Sequence, residues 1–251
     1  MRKIPVALQM YTIRNEAQAD YVGALRTVAE IGYAGVEPAG LFIAPTEIRK
    51  ALDDLGLVAP SGHFGYNQVV NQTESTAETA LTLGMRYVTC AAIPVEMRDS
   101  ADGFRTAGER LARAGEALAG NGLGLCYHNH NFEFTRFEGR YGLDILFEAG
   151  DARYLKAQID TYWVKFAGED PVDYIRRYAG RCPLVHIDDM AADGDRSFAE
   201  IGNGILDWSA IFEDCESAGV EWYIVEQGSC AGSPIDSVRA SFENLKRMGI
   251  A

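Results

Sequence analysis

Histidine is scarce in this chain, with four copies among 251 residues, at positions 63, 128, 130 and 186. Positive charge is short as well: 23 lysines and arginines face 36 acids, a net charge of −13. A chain this acidic repels phosphate backbones and anionic lipid surfaces, which are bound through basic stripes. Nucleic-acid and membrane partners are therefore not expected. No apolar run approaches the roughly 20 residues that a membrane-spanning helix needs. The five cysteines (Cys90, Cys126, Cys182, Cys215, Cys230) are odd in number, scattered, and form no CxxC pair. This argues against a disulfide framework or a thiolate zinc site and for reduced thiols in a cytoplasmic protein. The start, "MRKIPVALQM", is briefly basic but has neither a long apolar segment nor a small-residue cleavage site, and reads as mature sequence. Linkers, low-complexity tracts and Pro/Ser-rich boundaries are also lacking, so one domain over residues 1–251 is expected.

What is present is alternation. Short apolar runs read as strands at 4–10, 33–37, 57–64, 86–92, 123–128, 155–160, 183–187 and 222–226. Stretches with helical spacing follow at about 20–31, 46–56, 74–83, 103–119, 143–149, 172–178, 208–218 and 234–248, with Gly56 and Gly84 as stops for two of them. Eight strand–helix units in a chain of this length predict an α/β fold, a (β/α)8 TIM barrel. An open doubly wound sheet is the competing architecture. It usually carries a glycine-rich phosphate loop after strand one, and "QMYTIRNE" there has no glycine.

In such a barrel, chemistry sits at the C-terminal ends of the strands. Those ends carry Gln9, Glu37, His63, His128 (with His130 two residues on), Asp160, His186 and Glu226. Every histidine of the chain is in this set. Strands five to eight would bring His128, Asp160, His186 and Glu226 together. Two histidines and two carboxylates in a partly buried place are costly unless paired or metal-bound. Their mixed nitrogen and oxygen donors suit a divalent ion such as manganese, zinc, iron or cobalt better than calcium. Each residue alone has a plainer reading. Asp160 fits a cap on the following turn, His186 and His128 fit satisfied core histidines, and Glu226 fits a carboxylate hydrogen-bonded to a loop. Glu37 and His63, across the mouth, read as acid/base groups or substrate contacts, with structural hydrogen bonds as the rival. Trp163 either stacks on a sugar face or plugs the barrel. Lys156 reads as a barrel-bottom or inward residue rather than a catalytic one. The pair Asp188–Asp189 reads as solvated loop, with Asp189 alternatively orienting His186.

"GYAGVE", "YHNHNFEF", "QIDTYWVKFAGEDPVDYI", "GRCPLVHIDDM", "IGNGILDW" and "WYIVEQG" resemble the sugar phosphate isomerase/epimerase family, the xylose isomerase-like TIM-barrel superfamily, over nearly the whole chain. The resemblance implies one metal ligand from each of strands five to eight: His128, Asp160, His186 and Glu226. "YHNH" resembles a subgroup in which His128 stands where the epimerases carry a glutamate. That departure weighs against a symmetric two-glutamate epimerisation and leaves isomerisation or elimination open. Trp163 stands where the epimerases and the nuclease members carry a histidine, which weighs against a DNA-repair role. Asp188 takes the place of a lysine in the strand-seven motif, so a cationic phosphate contact is missing there.

The resemblance implies a metal-dependent isomerase or epimerase acting on a keto-sugar or related polyol through an enediolate, with a dehydratase or lyase on a keto-sugar, keto-glycoside or inosose as the alternative. A sugar-binding subunit without catalysis is the third reading. Glu226, His130 and Glu37 are the expected catalytic groups, and His63, Trp163 and Gln9 the expected substrate contacts. Manganese is the favoured metal, ahead of zinc, magnesium or cobalt. The expected partner is a small sugar or polyol, and a homo-oligomer is compatible with the sequence.

Overall fold

The computed structural model describes residues 3–251; Met1 and Arg2 of the short basic start lie outside the described residues. Eight strands line up in parallel: β1 (Val6–Gln9), β2 (Gly35–Glu37), β3 (Ser61–Phe64), β4 (Tyr87–Cys90), β5 (Gly124–His128), β6 (Leu155–Asp160), β7 (Leu184–Ile187) and β8 (Trp222–Val225). Each is paired with its sequence neighbour, and β8 returns to β1 through Val6–Tyr223, Ala7–Ile224 and Leu8–Val225. The remaining seam, β2 to β3, is held by single parallel bridges, Gly35–Val58 and Ala39–His63. The result is the nearly closed barrel that the alternation predicts, with helices between the strands.

Side chains alternate in and out along each strand, a period of two. In β6, Leu155, Ala157 and Ile159 join the outer core beneath the helices. The intervening positions are Lys156, Gln158 and Asp160. In the other strands, Ala7, Tyr87, Cys126, Leu184 and Ile224 form a separate small apolar cluster at the inward positions. This cluster is the barrel floor. Two residues further along the same strands come Gln9, Thr89, His128, His186 and Glu226, and sequence spacing alone puts them one layer higher, at the mouth.

Helix ends follow local chemistry. Asp20 caps Tyr21–Ile31 through the Gly23 amide, and Gly56 closes Pro45–Leu55 at φ 68°, as its place in the sequence predicts. The expected strand over 57–64 is shorter in the structure. Pro60 lacks an amide hydrogen, so Val58 makes a lone bridge and the strand resumes at Ser61. Three six-residue helices (Arg14–Ala19, Tyr66–Asn71, Thr161–Phe166) add to the eight anticipated. They are too short for a helical period to show. Two small antiparallel ribbons also sit on the strand-to-helix connections, Arg136–Phe137 with Arg140–Tyr141 and Asp189–Met190 with Phe198–Ala199. Among the described residues, no helix is long and apolar enough to cross a membrane.

The weak seam gives a test. A Cβ on Gly35 would lie 2.3 Å from the Val58 carbonyl oxygen and 3.2 Å from the Trp222 ring. That oxygen accepts the Val36 amide at 2.8 Å. Gly35→Ala is expected to destabilise the protein by about 1–3 kcal/mol, the usual cost of overpacking. Urea denaturation measures this, and an unchanged midpoint would show that the seam can yield.

Candidate metal centre and acid–base site

Glu37 ends β2 and is fully buried. Its Oε2 accepts from Gln9 Nε2 at 2.7 Å and lies 2.6 Å from His186 Nε2 and 3.1 Å from His63 Nε2. Its Oε1 accepts from Gln158 Nε2 at 2.7 Å and from the Ser61 hydroxyl. Burial alone would raise this carboxyl's pKa, but His63 and His186 outweigh it and hold it well below the ordinary value. His186 is the counterpart. Burial opposes its charge, yet Glu37 and then Glu226 hold its pKa well above that of an ordinary histidine. Its Nδ1 lies 2.8 Å from Glu226 Oε2. The group that orients His186 is thus Glu37.

Beside this network, the four residues expected from strands five to eight do come together. One ligand atom each from His128, Asp160, His186 and Glu226 lies within 4.8 Å of all the others. Asp160 meets both of its readings at once. Its Oδ1 caps the next helix by accepting the Trp163 amide at 2.8 Å, while its buried Oδ2 has no partner. That oxygen is 3.9 Å from His128 Nε2. His128 is also buried, with an unpartnered Nδ1. Burial, then the neighbouring histidines, keep its pKa well below the ordinary value, so it is a neutral imidazole with a lone pair to give. Burial pushes the Asp160 carboxyl up to about 8, against His186 and with Glu226. A divalent cation fits this donor set, because it would relieve the unpartnered oxygen and the crowded carboxylates together. A second group, His63, His128 and His186, is also close enough to hold a metal. There, however, His63 is already engaged by Gln158 Oε1 at 2.9 Å and by Glu37.

A cavity of about 660 Å³ opens over the cluster, and its walls include His63, His128, His130, Trp163, Asp188 and Glu226. His130 stacks on Phe132 and leans on Trp163. Burial lowers its pKa to about 4. Trp163 packs edge-on to Phe198, which lies on the Tyr162 ring at 3.7 Å and also lines the cavity. Glu37 and Gln9 do not line this cavity. They lie beneath it, fully buried, and act on it through His186 and His63.

Two expectations need correction. Neither Asp188 nor Asp189 is a solvated loop residue, since both are buried. Nor does Asp189 orient His186. Its carboxylate instead accepts from the amides of Met190, Gly202, Gly204 and Leu206 and from Trp208 Nε1. Residues passed over in the sequence also matter. Gln158 and Ser61 complete the Glu37 network, and Asn129 Oδ1 accepts the Asp160 amide at 3.0 Å. Gln158 had a visible signal, a polar residue two before Asp160 and therefore on the same face of an apolar strand.

The fold and the clustered donors make a barrel with a set of side chains at its mouth that could hold a metal ion. The model of the xylose isomerase-like TIM barrel family matches residues 25–248, and the chain belongs to that family. It is similar to the rhizopine catabolism protein MocC of Rhizobium meliloti, 26% identical over all of this chain and 90% of that one. The inosose dehydratase of Geobacillus kaustophilus is 28% identical over 67% of this chain but only 62% of its own length. Among solved structures, a sugar phosphate isomerase/epimerase from Parabacteroides distasonis superposes with a TM-score of 0.84 at 23% identity, covering 98% of this chain and 94% of that one.

One buried acid beside the site offers a pH test. Glu133 accepts from the Tyr127 hydroxyl at 2.6 Å and from the His130 amide at 2.9 Å, and so fixes the loop that carries His130. Burial pushes its pKa up to about 7 despite both hydrogen bonds. A carboxyl whose pKa is raised on folding binds its proton more tightly in the folded state, so stability falls as pH rises from the unfolded value towards 7. Glu133→Gln is expected to remove up to about 3 kcal/mol of that fall. Urea denaturation of both proteins at pH 5 and pH 8 checks this; parallel pH dependences would refute it.

Proposed function

We propose that this chain is a divalent-metal-dependent isomerase or epimerase that removes the proton beside the carbonyl of a keto-sugar or related polyol. The observation that carries the reading is the position of Glu226, which belongs to the four-donor cluster and also lines the cavity. His128, Asp160, His186 and Glu226 would hold the metal, manganese in preference to zinc, magnesium or cobalt. When bound, such an ion supplies Lewis-acid stabilisation of the negative charge that develops on the substrate oxygen.

The chain's own groups supply the rest. Glu226, a carboxylate on the cavity wall, takes the α-proton to leave an enediolate. Glu226 gives that proton back to the neighbouring carbon, and His130, on the cavity wall two residues past the end of β5, hydrogen-bonds the substrate hydroxyl as the double bond shifts. Glu37 holds His186 in orientation rather than touching substrate, a role its burial and five partners support. Gln9 works through Glu37. His63 and Trp163 contact the substrate, and Trp163 with Phe198 gives an aromatic wall for the apolar face of a sugar ring. The scattered cysteines, four of the five buried and all free, support a cytoplasmic setting.

Elimination is the second reading, and one observation favours it. The β5 side of the site presents His128 and His130 where a symmetric inversion would use a second carboxylate. After the same proton removal, loss of a neighbouring hydroxyl would make the enzyme a dehydratase, the activity named for one of its sequence relatives.

Purified protein is expected to contain a divalent metal, and His186→Ala to lose it by elemental analysis. Chelation should lower the melting temperature. Glu226→Gln is expected to lower turnover by about 10²–10⁴-fold, the usual contribution of a general base, while still binding metal. Incubation of ketoses and inososes in deuterated water separates the two readings: deuterium beside the carbonyl of an intact skeleton supports the isomerase, and loss of water the dehydratase. A metal-free protein whose melting temperature ignores added manganese would sink both.

A further inference from the structure

Asp188 is a buried acid that the proposed chemistry does not use. It stands just past β7 and lines the cavity, with 1% of its surface exposed. Its place is fixed from three sides. Its amide donates to Thr161 Oγ1, its carbonyl accepts from the same hydroxyl, and its Oδ1 accepts the Glu226 amide at 3.2 Å. Its Oδ2 has no partner at all. A buried acceptor left unpaired carries a desolvation penalty that a donor would relieve. The four-donor cluster is complete without it.

The lining around it points the same way. Among the described residues lining the cavity there is no lysine or arginine, whereas Asp188 and Glu226 are both there. Two arginines that touch residues at or beside the cavity wall are committed elsewhere. Arg14 donates to the carbonyls of Tyr11 and Gly228 and lies over the Tyr11 ring. Arg98 donates twice to the Ile93 carbonyl and stacks on Phe132. A phosphate entering the cavity would find no lysine or arginine on its walls to hold it.

We propose that Asp188 sets the substrate class of this site: its free oxygen hydrogen-bonds a hydroxyl or amino group of an unphosphorylated polyol, and it stands where a basic side chain would be needed to hold a phosphate. This rests on the sugar-or-polyol reading above. It is independent of which reaction follows proton removal.

The test is calorimetric titration of metal-loaded protein with two matched pairs, a ketohexose against its 6-phosphate and an inositol against its monophosphate. Wild-type protein is expected to bind the unphosphorylated member of at least one pair ten-fold or more tighter. Asp188→Asn keeps the acceptor for the Glu226 amide. It should weaken that binding by about ten-fold, the order expected for a lost hydrogen bond, with metal content and melting temperature unchanged. Asp188→Lys should narrow or invert the preference. Equal binding of the phosphorylated partners by wild type, no binding of any of the four, or an Asp188→Asn protein that loses metal instead of polyol affinity would each overturn the assignment. The wild-type comparison stands even if both variants fail to fold. Selective polyol binding without any deuterium exchange would sink the isomerase and dehydratase readings and leave the role of Asp188 intact.

Discussion

One fully buried carboxylate braces the mouth of this barrel. Glu37 on β2 is met by Gln9 from β1, Ser61 and His63 from β3, Gln158 from β6 and His186 from β7. A charge in this position is tolerable only because both oxygens are saturated with donors, two of them histidines able to carry the balancing charge. The network also reaches across the β2–β3 seam, where the sheet itself offers only isolated bridges. Side-chain hydrogen bonds therefore supply closure where the backbone ladder is thin. The same bonds fix His186 by its Nε2 and turn its Nδ1 towards Glu226.

Polar satisfaction changes with height in the barrel. The floor is apolar, with Ala7, Tyr87, Cys126, Leu184 and Ile224. The Glu37 layer above it is polar and paired. Around the donor cluster and the cavity, Asp160 Oδ2, Asp188 Oδ2, His128 Nδ1 and His130 Nδ1 are all buried and unpaired. Buried polar atoms nearly always have partners. A concentration of exceptions at the cavity is where a structure holds capacity for something from outside. The paired layer makes that capacity specific, since β6 and β7 cannot shift without breaking the Glu37 bonds.

The architecture was legible in the sequence because each βα unit carries its own signal, an apolar run followed by a helical period and a stop such as Gly56. The meeting of His128, Asp160, His186 and Glu226 was legible too, since parallel strands converge and their last residues must be neighbours. Hidden from that logic was the division of labour among the polar residues. Glu37 and Glu226 look alike as strand-ending acids, yet one is sealed beneath the cavity and the other lines it. The difference lies in how many donors neighbouring strands supply, and Gln158 and Ser61 sit in the middle of runs where polar residues attract no notice.

Asp188 and Asp189 show the same limit most sharply. They are adjacent, identical and both buried, and the sequence gives no reason to treat them differently. Strand alternation separates them. Asp188 follows the inward positions Leu184 and His186 and reaches the cavity, where it accepts the Glu226 amide. Asp189 faces the other way and gathers the amides of Met190, Gly202, Gly204 and Leu206 with the Trp208 indole. It also pairs with Ala199 in the ribbon that carries Phe198 to the cavity wall. One acid thus holds the wall in place and its neighbour leaves an open acceptor inside it. Moving the pair by a single residue would exchange those roles, so the character of the cavity depends on register as much as on composition.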